Sequence, residues 1–371
     1  MEISTETLKL TAEKFAFDGA AEKFERISVG NINETYIVTC SSGRRYILQR
    51  VNKEVFGAEG GVYAMLENTE RVIAHLKAKI TARGGESRRE RLSMVRTTDG
   101  KLHAETEGEV WRVYHYIEGT VHYQSPPGYE HAAEAGRVYG DFFSLMSTFP
   151  IESLKPSIVN WHDTEHYFSE LKAAVSEDPL GRAVSCQDEI RRILKHSGDC
   201  LNFYKKIVKL PKRVTHGDTK FSNLLFDAKT DKALCVADLD TVGLGYAPMD
   251  FGDSVRSACN AEPYVPGKPA DTAKIGLDEQ AFDAFTTAFL TEAASALSDE
   301  EKQALPQAVI VVTFELAARY LTDYLRGDKY FKISEEAQNL GKARNLTHLL
   351  DDMIYKSIWI NSAVRRILGK I

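Results

Sequence analysis

Thr215-His216-Gly217-Asp218-Thr219-Lys220-Phe221-Ser222-Asn223, followed shortly by Ala237-Asp238-Leu239-Asp240, is the stretch on which the reading of this chain turns. Residues 224–226 are a short apolar run, 227–232 are polar with turn chemistry, and 233–237 are a second apolar run. That pattern predicts a β-hairpin. Folded back, it carries Asn223, at the mouth of the first strand, toward Asp238 at the end of the second. An amide oxygen and a carboxylate then converge, which suits Mg²⁺, a hard cation that keeps several waters and takes one or two protein oxygens. Asp218 lies one loop away, placed to accept a proton from a substrate hydroxyl. His-Gly-Asp alone fits an ordinary turn equally well. With Asn223, Asp238 and Asp240 at compatible spacing, the stretch reads as a phosphoryl-transfer site.

Composition narrows the class. A chain of 371 residues has room for about two domains with a sizeable core. Its 43% hydrophobic and 27% charged residues are those of a soluble globular protein. A formal net charge of −6 gives no support for nucleic-acid binding, which shows a basic surplus. Five cysteines (Cys40, Cys186, Cys200, Cys235 and Cys259) are dispersed, with no C-x-x-C pair. They predict reduced, packed thiols rather than a disulfide framework or a zinc site. The first ten residues hold no signal-peptide core, and no apolar run approaches the ~20 residues of a membrane span. The expectation is a cytoplasmic protein, monomer or small homo-oligomer, with small-molecule rather than nucleic-acid or membrane partners.

The chain begins with strands. Residues 6–15 predict a short helix; 24–29, 35–39 and 46–51 predict three strands joined by tight turns, an antiparallel meander. The turn at 30–34 offers backbone N–H groups to the phosphates of a nucleotide, with Asn31, Asn33 and Thr35 as candidate contacts. Glycine and asparagine mark plain hairpin turns just as readily. Residues 60–79 carry Met65, Leu66, Val72, Ile73 and Leu76 at helical period, with Glu67 and Glu70 on the same helix. Residues 92–96 and 110–117 predict two further strands. After Pro126-Pro127 the pattern turns helical, over 130–146, 163–175, 187–207, 279–297 and 307–325, while the Pro- and Gly-rich 254–274 reads as a surface loop. Strands first and helices after, with one hairpin inserted, predict an α+β chain.

These landmarks together resemble the aminoglycoside phosphotransferase and choline kinase group, which shares the protein-kinase fold. Within it the likeness is greatest to the N-acetylhexosamine 1-kinases. It is carried by GNINETYIV (30–38), YILQRVNKEVF (46–56), ENTERV (67–72), WRVYHYIEG (111–119), THGDTKFSNLLFD (215–227), the segment 237–260, and RYLTDYLRGDKYFK (319–332). The Asp218-to-Asn223 spacing equals that of Asp and Asn in the kinase H-R-D-x-x-x-x-N loop. The resemblance implies a protein-kinase-like two-lobed fold, with a small antiparallel-sheet lobe over 1–118 and a mainly helical lobe over 119–371. It implies ATP as phosphoryl donor, Asp218 as the catalytic aspartate, and Asn223 and Asp238 as holders of Mg²⁺, with Asp240 near a second ion or its water shell. In such a fold Tyr116 and Ile117 lie where the chain crosses between lobes and backbone pairs with adenine. A buried-tryptophan edge strand explains the same residues.

One departure stands out. Where a lysine usually ends the third strand the chain has Gln49, then Arg50, whose guanidinium can take over the phosphate contact. For a sugar acceptor the candidates are Arg319, Tyr320, Asp323 and Tyr324; the plainer alternative is an Arg319–Asp323 intrahelical salt bridge with packed tyrosines. Asp250, Asp253 and Arg256 are expected to brace the catalytic loop, and His216 to anchor it. Trp161-His162-Asp163 reads as a helix start. Three functions follow: a sugar 1-kinase, another small-molecule kinase of the same fold acting on an aminoglycoside, choline, an amino-acid alcohol such as homoserine or a thiosugar, or a nucleotide-binding pseudokinase. The last is disfavoured because Asp218, Asn223 and Asp238 are all present.

Overall fold

The computed structural model describes residues 3–27, 33–56, 60–86, 88–268 and 270–371. Asn31 therefore lies outside the described residues. The chain forms two compact units, one of Met1–Thr120, Glu152–Val159 and Leu234–Gly243, the other of Val121–Ile151, Asn160–Ala233 and Leu244–Ile371. In chain order the elements begin with α1 (Thr5–Ala12), β1 (Ala21–Ile27), β2 (Glu34–Cys40), β3 (Arg45–Arg50), α2 (Gly61–Ala82), β4 (Met94–Val95), β5 (Ala104–Thr106), β6 (Glu109–His115) and β7 (Thr120–His122). There follow α3 (Tyr129–Met146), α4 (Thr164–Glu177), α5 (Gln187–Ile207), β8 (Arg213–Thr215), β9 (Leu224–Asp227), β10 (Ala233–Val236) and β11 (Gly243–Gly245). The chain ends in α6 (Ala247–Ala258), α7 (Glu279–Ala293), α8 (Asp299–Leu325), α9 (Gln338–Tyr355) and α10 (Ser357–Leu368).

The first unit is built on an antiparallel sheet in the order β1-β2-β3-β6-β4, with β5 also on β6. Strand alternation sorts its residues. Tyr36, Val38, Tyr46, Leu48, Trp111 and Val113 share one face and pack with Leu8 and Phe15. Register places Gln49 opposite Arg112, so both stand on the other face. That face meets α2, whose Val62, Met65, Leu66, Val72, Ile73, Leu76 and Ile80 recur at i, i+3 and i+4 and are buried. The expected strands at 92–96 and 110–117 are shorter here. β5, three residues of Ala-Glu-Thr, carries no hydrophobic run and escapes a pattern reading.

The second unit is helical. α8 is its axis, packed by α4, α5, α6 and α9. It is apolar nearly all round, as a helix enclosed by others must be, and is long and apolar enough to cross a membrane; 78% of that apolar window is buried inside the fold. It starts eight residues before the expected 307. Ser298 and Glu301 form a capping box there, and Glu301, fully buried, is bracketed by Arg213 at 2.6 and 2.8 Å. With its start fixed so firmly, α8 holds Pro306 inside it. The expected loop at 254–274 begins later, because α6 runs to Ala258. All five cysteines are free and buried, as their scatter predicts.

α3 and α7 approach closely through glycine. A Cβ at Gly136 would sit 2.2 Å from the Phe285 carbonyl oxygen. Gly136→Ala is therefore expected to cost about 1–3 kcal/mol, read as a lowered urea midpoint; an unchanged midpoint would show that the two helices part freely.

Candidate active site

Asp218 follows β8 in a loop whose shape is imposed from below. Asp250, buried on α6, accepts the backbone N–H of His216 at 2.6 Å and of Gly217 at 2.9 Å. Thr219 Oγ1 donates to the Asp250 carbonyl at 2.6 Å. Gly217 has φ +77°, a left-handed conformation that glycine reaches without steric cost. His216, wholly buried between the edges of Tyr139 and Phe142, accepts the Asp218 N–H on Nδ1 at 3.2 Å. These contacts leave the Asp218 side chain partly accessible.

Its charge is controlled by neighbours. Burial alone would raise the Asp218 carboxyl, but Lys220, His216 and Asn223 reverse that and hold it below the ordinary carboxylate value. Asp218 is thus an ionised acceptor at neutral pH. Asn223, nearly buried at the start of β9, spends its NH₂ on the Asp218 carbonyl at 2.8 Å and on Oδ2 at 3.2 Å. Its Oδ1 is the atom left for a cation. The hairpin turn is closed by the Asp227 N–H to the Lys232 carbonyl, with Asp227 Oδ1 accepting from Lys229 and Thr230 N–H.

A second brace was not legible as such in the sequence. The Gly217 carbonyl accepts from Trp161 Nε1 at 3.0 Å and from His162 Nε2 at 3.0 Å. His162 Nδ1 meets Glu315 on α8 at 2.9 Å, and Thr164 donates to the other Glu315 oxygen at 2.7 Å. Asp163 caps α4 by accepting the His166 N–H, as the Trp-His-Asp signature predicts. The two residues before the cap also hold the Asp218 loop. Only the tertiary contact with Gly217 reveals it.

On α8 the predicted acceptor residues part company. Arg319 and Asp323, four apart, do not pair with each other. The Arg319 guanidinium lies 4.7 Å from the Trp161 ring, 4.6 Å from Tyr167, and 5.6 Å from both Tyr330 and Phe331, and donates to Tyr330 Oη at 3.3 Å. Asp323 accepts the backbone N–H groups of Lys329, Tyr330 and Phe331 and the Asn339 side chain, all at 2.8–2.9 Å. Its carboxylate is filled, and it shapes the loop that brings Tyr330 and Phe331 to Arg319. Tyr320 stacks on Phe331 at 4.2 Å, with Lys342 Nζ 5.0 Å from its ring. Arg256 is held by Asp253 at 2.7 Å.

The first unit carries the other sequence candidates. Asp238 is partly accessible, with left-handed backbone at φ 59°, ψ 61°. Asp240 is 1% exposed. Arg112 NH1 closes on its Oδ1 at 2.6 Å and NH2 on its Oδ2 at 2.8 Å; Asn33 donates to Oδ2 at 2.7 Å. Thr35 Oγ1 accepts from Gln49 at 3.1 Å. Arg50, on the face opposite Gln49, pairs with Glu34 at 3.2 Å and stands 3.9 Å from Glu109. Tyr116 lies under the Arg45 guanidinium at 4.0 Å, and the Ile117 carbonyl accepts from Thr120. Among the described residues no group of three or more His, Cys, Asp and Glu forms a metal cage. Asn223 Oδ1 in the second unit and the Asp238 carboxylate in the first are each hard oxygen donors of the kind Mg²⁺ takes.

The phosphotransferase enzyme family APH matches residues 23–297. Among solved structures, the fold is similar to an aminoglycoside phosphotransferase from Alicyclobacillus acidocaldarius, at TM-score 0.60 and 12% identity over 100% of this chain and 98% of that one. It is similar to an amicoumacin kinase in complex with AMP-PNP and Ca²⁺, at TM-score 0.60 and 12% identity over 94% of each chain. A choline kinase from Cryptosporidium parvum matches at TM-score 0.54 and 12% identity over 92% of this chain and 93% of that one.

Burial works against a charged His162, but Glu315 overrides it and pushes the imidazole from 6.5 up to about 9. Both ring nitrogens then donate, one to Glu315 and one to the loop. The folded state holds this proton more tightly than the unfolded chain, so the stabilisation is complete below pH 6.5 and is lost as pH rises through about 9. The melting temperature should therefore fall between pH 7 and roughly 9.5 more steeply in the wild type than in His162→Gln. Parallel curves would remove His162 from this role.

Proposed function

We propose that this chain, which belongs to the APH phosphotransferase enzyme family, transfers the γ-phosphoryl group of ATP to a hydroxyl of a neutral sugar, the anomeric hydroxyl of an N-acetylhexosamine. The observation that carries the choice of acceptor is the charge around Asp218 and Tyr320. Lys220 sits on Asp218, Arg256 is charged beside Asp253, and Arg319 is held among rings. Lys342 lies over Tyr320, its ammonium lowered to about 8 by burial and by Lys220. A cationic acceptor would meet these groups at a Coulomb cost, whereas a neutral polyol would not. The aromatic residues Trp161, Tyr167, Tyr320, Tyr330 and Phe331 supply the flat apolar surface a sugar ring wants.

Asp218, kept ionised by Lys220, accepts a hydrogen bond from the acceptor hydroxyl and takes its proton as the new O–P bond forms. The transition state of phosphoryl transfer is loose, so orientation matters more than base strength. Asp250, His216, Trp161 and His162 do the orienting, by fixing the backbone on either side of Asp218. Asn223 and Asp238 would hold Mg²⁺, which when bound neutralises charge on the transferring phosphates. The competing reading, a kinase of cationic alcohols, requires an acidic acceptor surround; here Glu315 and Asp323 are occupied by protein donors, and the charge of Asp253 is paired with Arg256.

ADP release measured with N-acetylglucosamine, N-acetylgalactosamine, plain hexoses, choline and an aminoglycoside should show turnover on the N-acetylhexosamines, with ³¹P NMR placing the phosphate on the anomeric oxygen. Turnover confined to the amines would replace this reading with its competitor. Asp218→Asn should bind ATP normally and lose transfer by about 10²–10⁴-fold; near-normal activity would take Asp218 out of the chemistry.

A further inference from the structure

The least exposed charged pair among the described residues of the first unit has no part in the chemistry just described. Arg112 and Asp240 are each 1% exposed. Removing two charges from water is costly, and a pair so buried stabilises a fold little better than apolar residues of the same size. Its geometry is nonetheless closely defined. The guanidinium grips both Asp240 oxygens, at 2.6 and 2.8 Å, while its Nε donates to Gln49 Oε1 at 3.0 Å. Gln49 passes the constraint to Thr35 at 3.1 Å. Asn33 ties the same Asp240 oxygen to the backbone N–H of Asn52. Thr69 of α2 reaches the Leu239 carbonyl at 3.4 Å. Three strands and a helix thus converge on the single turn Leu239–Thr241.

That turn begins at Asp238, whose left-handed backbone is uncommon for a residue with a side chain. Protein kinases place a cation with a lysine on the third strand paired to a helix glutamate. Here the third-strand residue is the neutral Gln49, and α2 presents Met65 to the guanidinium, with Sδ 3.2 Å from Arg112 NH1. The strand cation has moved to the neighbouring strand, and its carboxylate partner to the Asp238 turn.

We propose that Arg112 and Asp240 are positioning residues that fix the Asp238 carboxylate for the nucleotide's divalent cation, and that Asp240 is not itself a ligand. The Arg112 guanidinium lies against both Asp240 oxygens and leaves that residue 1% exposed, whereas Asp238 is partly exposed to solvent. The inference rests on Asp238 as a metal-holding residue.

The test is the Mg²⁺ dependence of ATP-analogue binding, by calorimetry on the full chain, for Asp238→Asn, Asp240→Asn, Arg112→Gln and the double variant Arg112→Gln/Asp240→Asn, with melting temperature as the control for folding. Asp240→Asn and Arg112→Gln should each raise the Mg²⁺ concentration for half-maximal tight binding by about 10–100-fold. Affinity without metal should stay within about twofold, and the double variant should be no worse than the weaker single, as coupled residues are non-additive. If Arg112→Gln frees Asp240 and leaves metal dependence unchanged or stronger while Asp240→Asn weakens it, Asp240 is a ligand and the inference fails. It fails also if neither substitution moves the metal dependence. Should Arg112→Gln not fold, Arg112→Lys, which keeps the charge and loses the two-pronged grip, takes its place under the same criteria. An unchanged metal dependence in Asp238→Asn would instead overturn the metal role assigned to Asp238, a separate result.

Discussion

Buried carboxylates that accept from the backbone or from a sealed guanidinium organise this protein. A carboxylate taken out of water must be satisfied by donors close at hand, and the donors it finds become fixed in turn. Asp250 takes two amides of the Asp218 loop, Asp323 takes three amides of the 329–331 loop, and Asp240 takes both arms of Arg112. Each acid turns an irregular segment into a rigid one. The two acids left accessible, Asp218 and Asp238, stand on the segments so fixed.

The division of labour is electrostatic as well as geometric. Asp218 is held ionised, its neighbours overcoming the desolvation that would protonate it. His162 is held charged by Glu315, so the carbonyl of Gly217 receives a charge-assisted hydrogen bond next to Asp218, the residue proposed to meet the acceptor. Arg319 keeps its charge although enclosed by rings, because Tyr167, Tyr330 and Glu315 outweigh its burial. Charge around the side chains proposed to meet the acceptor is thereby set by the second unit itself. That balance is what turns the functional reading toward a neutral acceptor.

Much of this was legible in the chain. The meander, the α2 stripe and α5 follow from period and turn residues, because such local patterns are satisfied by burial of one face. His216 and Asp250 anchor the Asp218 loop as expected. Asp323 shows the limit. Its four-residue offset from Arg319 suggested a salt bridge, but backbone amides six to eight residues ahead compete better for its oxygens. Trp161 and His162 look like the prelude to a helix, and nothing local marks their second duty.

The sequence alone determined the class: an antiparallel meander followed by helices, and an Asp-to-Asn spacing that belongs to phosphoryl transfer. Those features depend on residues near one another in the chain, where periodicity and turn chemistry act. Tertiary structure decided which of several acids is sealed and which is open, and which arginine answers Asp240. Asp238 and Asp240 are two residues apart and chemically identical. Their separation into an accessible acid and a buried one comes from Arg112, 128 residues away from Asp240 in the chain, and no local pattern carries that information.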